Sequence, residues 1–88
     1  MSYNVAAGED RLGVAYGKRA ARAYFANDVD RELANHELAL PCFREAARIY
    51  RAINHADKAD EALHGIAHIE EGIQMAIARR TVAAATKR

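Results

Sequence analysis

The chain has no tryptophan, one cysteine, one proline and no long apolar run. A single cysteine, Cys42, excludes an intramolecular disulfide and a paired-cysteine zinc knuckle. Its apolar setting, Leu40-Pro41-Cys42-Phe43, marks it as a small buried hydrophobe in a reducing compartment. No stretch approaches the roughly 20 apolar residues of a membrane span. Residues 1–10 lack a basic region followed by an apolar one, so no signal peptide is expected there. The expectation is a cytoplasmic protein.

Excess charge is lacking too. Thirteen basic and twelve acidic side chains leave a formal charge of +1, which gives no bulk argument for nucleic-acid binding. Basic residues do gather locally, as Lys18, Arg19 and Arg22 and as Arg79, Arg80, Lys87 and Arg88. These clusters carry an alternative reading, a nucleic-acid-binding accessory protein, against the simpler one of solvated helix faces. No glycine-rich phosphate loop and no Ser-His-Asp arrangement occurs, so no catalytic role is expected.

What is present is helix-forming sequence. Ala, Glu, Arg and Leu dominate, and no segment alternates apolar β-branched residues. The fold expected is all-α: a small antiparallel helical bundle of three to four helices. Residues 1–88 form one domain, with 1–8 and 81–88 frayed. Much of the 51% hydrophobic content is alanine, which buries little area, so the core is thin. A thin core favours self-association or a partner that completes it.

A first helix is expected near Gly8-Glu9-Asp10, with Leu12, Ala15, Tyr16, Ala20, Ala23 and Tyr24 on one stripe. Asn27-Asp28 reads as its stop, with Asp28 or Asp30 capping the next helix. Val29, Leu33, Leu40, Phe43, Ala47 and Tyr50 mark the middle stripe, which Pro41 interrupts. An interior proline costs about 3 kcal/mol, whereas one at a first helical position costs almost nothing. The expectation is therefore a break near 38–40 and a new helix from Pro41; one kinked helix from Asp28 to Ile53 is the alternative. Asn54-His55-Ala56-Asp57 reads as a second turn. Ala59, Leu63, Ile66, Ile69, Ile73 and Ile77 then form the last apolar stripe, with Gly65 and Gly72 inside it.

Tyr16 and Tyr50 lie 34 residues apart in similar surroundings. Leu12-Gly13-x-x-Tyr16 is echoed by Phe43-x-x-Ala46-Ala47-x-x-Tyr50, followed by Ala59-x-x-x-Leu63-x-x-Ile66. The segment from Phe43 to Ile66 resembles one tetratricopeptide unit, a helix–turn–helix repeat of that period. The first copy departs from the pattern: Glu9 replaces the large aromatic, and Phe25 and Glu32 fall where small residues belong. The resemblance implies a helical hairpin that binds another protein.

Two sets of side chains are candidates for function. Tyrosine beside arginine makes good binding hot spots, which singles out Tyr16, Arg22, Tyr24, Arg48, Tyr50 and Arg51. Core packing explains the tyrosines equally well. Their groove is expected between the first helix and the Pro41–Ile53 helix. Separately, Glu61, His64, His68 and Glu71 fall on one helix face at spacings that suit zinc or iron. Glu-x-x-His is also the ligand pair of di-iron bundles, for which Glu32 and Glu37 are further donors; with no second Glu-x-x-His, such a site needs a dimer. The bland reading is a wet face. His36 and His55, outside any cluster, are expected as surface or capping groups. The main expectation is a non-catalytic protein-interaction module without a cofactor: an adaptor, inhibitor or regulator whose partner is another protein, or a homodimer. An oligomeric metal-binding bundle is the alternative.

Overall fold

In the computed structural model, residues 2–86 are described. They form three helices and no strand: α1 (Tyr3–Phe25), α2 (Val29–Ala52) and α3 (Ala56–Thr86). The all-α expectation holds in the form of a three-helix bundle. Short loops make consecutive helices antiparallel, so α1 and α3 run in the same direction and both pack on α2. The bundle is narrow and long, 53 × 16 × 15 Å.

Both loops close in the same way. Asn27 and Asn54 adopt left-handed backbone, φ 57° and 59°, a conformation asparagine tolerates better than most residues. After α1, the Asn27 amide donates to Tyr24 O (3.1 Å) and the Asp28 amide to Ala23 O (2.9 Å). After α2, Asn54 donates to Arg51 O (3.1 Å) and His55 to Tyr50 O (2.8 Å). This paired pattern is the Schellman motif, which satisfies carbonyls that the helix end would leave free. Asp28 then caps α2 by accepting from the Arg31 amide at 3.1 Å.

Three boundaries differ from expectation. α1 starts at Tyr3 rather than near Gly8, because Ser2 Oγ accepts from the Val5 amide and Ala6 is fully buried. α3 continues to Thr86, with Thr81–Thr86 exposed; Met1, Lys87 and Arg88 lie outside the described residues. The break before Pro41 is absent, and α2 runs through it without interruption. Pro41 is exposed, and so is Glu37, whose carbonyl loses its amide donor. The defect therefore faces water, while Ala39, Cys42 and Phe43 on the other side are buried and hold the two halves in line.

The core is built largely from alanine. Among the fully buried side chains Ile49 is the largest. Near the α1 start, Ala6, Ala46, Ala47, Ile49, Tyr50, Ala59 and Ala62 bring all three helices together. Farther along, Ala39, Phe43 and Ile69 form a second cluster, with Tyr16, Leu40, Ile66 and Ile73 against it. The Phe43 ring lies between two glycines. A Cβ on either Gly13 or Gly65 would approach the ring to 3.0 Å. The room these glycines provide is filled by a side chain, not by neighbouring backbone.

Candidate protein-binding groove

Beyond the alanine cluster, the seam between α1 and α3 opens. It leaves a groove of about 530 Å³ with α2 as its floor. Small residues make the α1 wall: Gly13, Gly17, Ala20 and Ala21. Gly65, Ile69 and Gly72 make much of the α3 wall, and Phe43 and His36 the floor. Where a groove was expected between α1 and the second half of α2, Ala6 instead packs into a buried cluster with Ala46, Ala47, Ile49 and Tyr50.

A polar chain closes one end of the groove and links all three helices. Glu32 Oε1 accepts from Arg79 Nη2 at 2.5 Å, and Glu32 Oε2 lies 3.2 Å from His36 Nε2. The Arg79 guanidinium sits over the Tyr24 ring, 4.7 Å from its centre, in cation–π contact. Glu32 and His36 are buried, at 5% and 8% exposure. A carboxylate at that depth needs a cationic or donating partner, and Arg79 supplies it from α3. His36 Nδ1 is buried and has no hydrogen-bond partner.

The six residues expected to bind a partner are not brought together. Tyr24 lines the groove and is 47% exposed. Tyr16 is half-buried against the Phe43 cluster, with the Arg19 guanidinium 5.6 Å from its ring centre. Arg22 is exposed in the last turn of α1, where its charge suits the helix dipole. Tyr50 is core, at 3% exposure, with Tyr3 edge-on at 5.4 Å, and so it offers no surface to a partner. Arg48 and Arg51 are exposed in a separate depression between α2 and α3, beside Leu63 and Ile66. Arg48 is already paired with Glu45.

The metal-ligand candidates Glu61, His64, His68 and Glu71 are all exposed on α3. Glu61 pairs with Lys58 at 3.2 Å, and Glu32 is engaged by Arg79 and His36. Among the described residues no group of three or more His, Cys, Asp or Glu side chains is placed to hold a metal ion. Of the basic residues, Lys18, Arg19 and Arg22 are exposed, and Arg80 lies 3.7 Å from Asp30. Cys42 donates to Leu38 O at 3.4 Å. Burial first, and then the charge of Glu9, push its thiol above the ordinary value, which opposes a thiolate role. No helix among the described residues is long and apolar enough to cross a membrane.

His55 is exposed and tilts against Tyr3 at 5.2 Å, while its amide closes α2. His36, expected at the surface, is instead buried on the groove floor. Glu32, His36, Gly72 and Arg79 are thus groove residues to which the sequence assigned other places. The signal was the four-residue step from Glu32 to His36, which places both on the same face as Leu33 and Ala39. No family model matches the chain, and neither a curated protein nor a solved structure matches it.

Proposed function

We propose that the chain is a small, non-catalytic helical interaction module that binds another protein through the face around the α1–α3 groove. The observation that carries this reading is the open seam itself. Exposed Val14, Tyr24 and Met75 flank an apolar channel whose walls are mostly glycine and alanine. Small walls with apolar rims receive the protruding side chains of a packed helix. A volume of 530 Å³ also falls within the range of small-molecule pockets. Its buried carboxylate, Glu32, however, is already engaged by Arg79 and His36. Adaptor, inhibitor and regulator are all forms of this binding role. The tetratricopeptide-like reading of Phe43 to Ile66 belongs to the same proposal, supported by two antiparallel helical segments joined at the Asn54 turn.

The test is capture of partners by photo-crosslinking in the native host. A crosslinker at Met75 should trap protein, and one at Arg51 on the far depression should not. Adding Val14→Glu should abolish the Met75 product while the circular dichroism spectrum stays helical. Equal trapping at both positions, or none at Met75, counts against the proposal.

A further inference from the structure

Resting on that reading of the groove face as an interaction surface, we infer that the partner covering this face is a second copy of this chain. The two copies dock face to face with helices running in the same direction, α1 of each along α3 of the other.

Three observations converge. The chain exposes 5986 Å². A compact chain of 9.7 kDa exposes about 5,100 Å² by the usual scaling with mass. The excess of about 900 Å² goes with the narrow 53 × 16 × 15 Å shape, and a flat side of such a rod has room for the ~800 Å² that each partner gives to a standard interface. The alanine-built core shows why one copy alone leaves so much surface uncovered.

The open face is also self-complementary. Arg11, Val14, Lys18, Ala21 and Phe25 follow one another at three- and four-residue steps, forming a single exposed stripe along α1. His68, Glu71, Met75, Ala78 and Val82 do the same along α3. Phe25 is 83% exposed, Val82 62% and Met75 54%, a large apolar payload at one end of the face. The α1 stripe carries Arg11 and Lys18; the α3 stripe carries Glu71.

Register then selects the arrangement. Within one chain, Tyr3 lies beside His55, Gly17 beside Ile69 and Tyr24 beside Arg79. That offset sets Lys18 level with Glu71, and Phe25 level with Ala78, between Met75 and Val82. A two-fold axis parallel to the helices places α1 opposite α3 of the partner subunit. Lys18 then meets Glu71 of the partner subunit, and Phe25 enters between the partner's Met75 and the partner's Val82. An axis across the helices would set α1 against α1, basic stripe against basic stripe, which like-charge repulsion disfavours.

The experiment is the solution mass of the untagged chain by light scattering and sedimentation, from micromolar to sub-millimolar concentration. Twice 9.7 kDa is expected. Phe25→Glu and, separately, Val82→Glu should give monomers with unchanged helicity, since both positions are exposed. Lys18→Glu should raise the dissociation constant by about tenfold or more, and Lys18→Glu combined with Glu71→Lys should restore it. A monomer over the whole range overturns the dimer but leaves the wider interaction reading standing on its crosslinking test. A dimer indifferent to both glutamate variants overturns the docked face, and failure of the charge swap overturns the parallel arrangement.

Discussion

Gly72 on α3 lies directly against the imidazole of His36 on α2. A Cβ built at Gly72 would fall 2.8 Å from His36 Cε1 and 2.9 Å from Nε2. His36 is held from its other side by Glu32, so the ring has little freedom to retreat. Gly72→Ala should therefore cost about 1–3 kcal/mol, although alanine is the better helix former. Gly8 has nothing within 4 Å of its Cβ position, and Gly8→Ala should stabilise by about 0.5–1 kcal/mol. At Gly17 the nearest atom, Ile69 Cδ1, would be in ordinary contact at 3.9 Å, so the same gain is expected there. Urea unfolding of the three variants checks the ordering; a Gly72→Ala protein as stable as Gly8→Ala would show that His36 is not confined.

Arg79 on α3 reaches Glu32 on α2, and the two should couple energetically. Removing the guanidinium strands a buried carboxylate beside His36. Such losses run to about 3–5 kcal/mol for fully buried pairs. The Arg79 side chain is 39% exposed, so water softens the loss and Arg79→Ala should cost about 1–3 kcal/mol. A double-mutant cycle with Glu32→Gln should return a coupling of at least about 0.5 kcal/mol, measured by denaturant unfolding. Additive single effects would mean that the contact holds nothing together. Loss of the Tyr24 stack, through Tyr24→Ala, should reduce that coupling.

Stability should fall in the alkaline range. Burial first, and the charge of Glu9 second, raise the Cys42 thiol above 9.0 in the folded chain. Burial, followed by Tyr3, raises the Tyr50 phenol above 10.0. Both groups are neutral when protonated, and folding holds their protons more tightly than the unfolded chain does. Their contribution is complete below the unfolded values and disappears as pH rises through the folded ones. The urea midpoint should drop from about pH 9 upward, where unfolded thiols begin to lose their protons. Cys42→Ala should remove the earlier part of that fall and Tyr50→Phe the later part. A midpoint that climbs between pH 9 and 11 would contradict both assignments.

The fold was legible where single residues act locally. Asn27-Asp28 and Asn54-His55 stop helices through their own backbone conformation and side-chain caps, and both turns stand where the sequence placed them. The apolar stripe of α3 was legible in part: Ala59 and Ile69 are buried, but Leu63 and Ile77 are 37% and 38% exposed. An all-helical chain with so few large apolar residues leaves helix rotation underdetermined by periodicity. Glycine and alanine settle it here, by letting Phe43 and His36 press into neighbouring helices. Spacing could not show that Tyr50 is core while Tyr24 faces the groove, because both sit near helix ends beside arginines. Nor could it pair Glu32 with Arg79, 47 residues away, since that contact depends on how α3 lies along α2.

Pro41 gives the sharpest test of how local cost and tertiary packing balance. The proline removes the amide that would bond to the Glu37 carbonyl, and its ring crowds the preceding turn, at about 3 kcal/mol in a helix interior. α2 nonetheless continues through it, because Ala39, Cys42, Phe43 and Ala46 are buried on the opposite side and a break would uncover them. If packing holds the helix against the proline, Pro41→Ala should stabilise the chain by about 1–3 kcal/mol. The gain lies toward the lower end because proline also restricts the unfolded chain, an advantage of up to about 1 kcal/mol that alanine forfeits. The urea midpoint should rise with no change in the slope of unfolding. A lower midpoint would mean that the proline is itself needed to seat Phe43 between Gly13 and Gly65. In that case the double variant Pro41→Ala, Phe43→Leu should recover part of the loss, because the smaller side chain no longer requires so exact a seat.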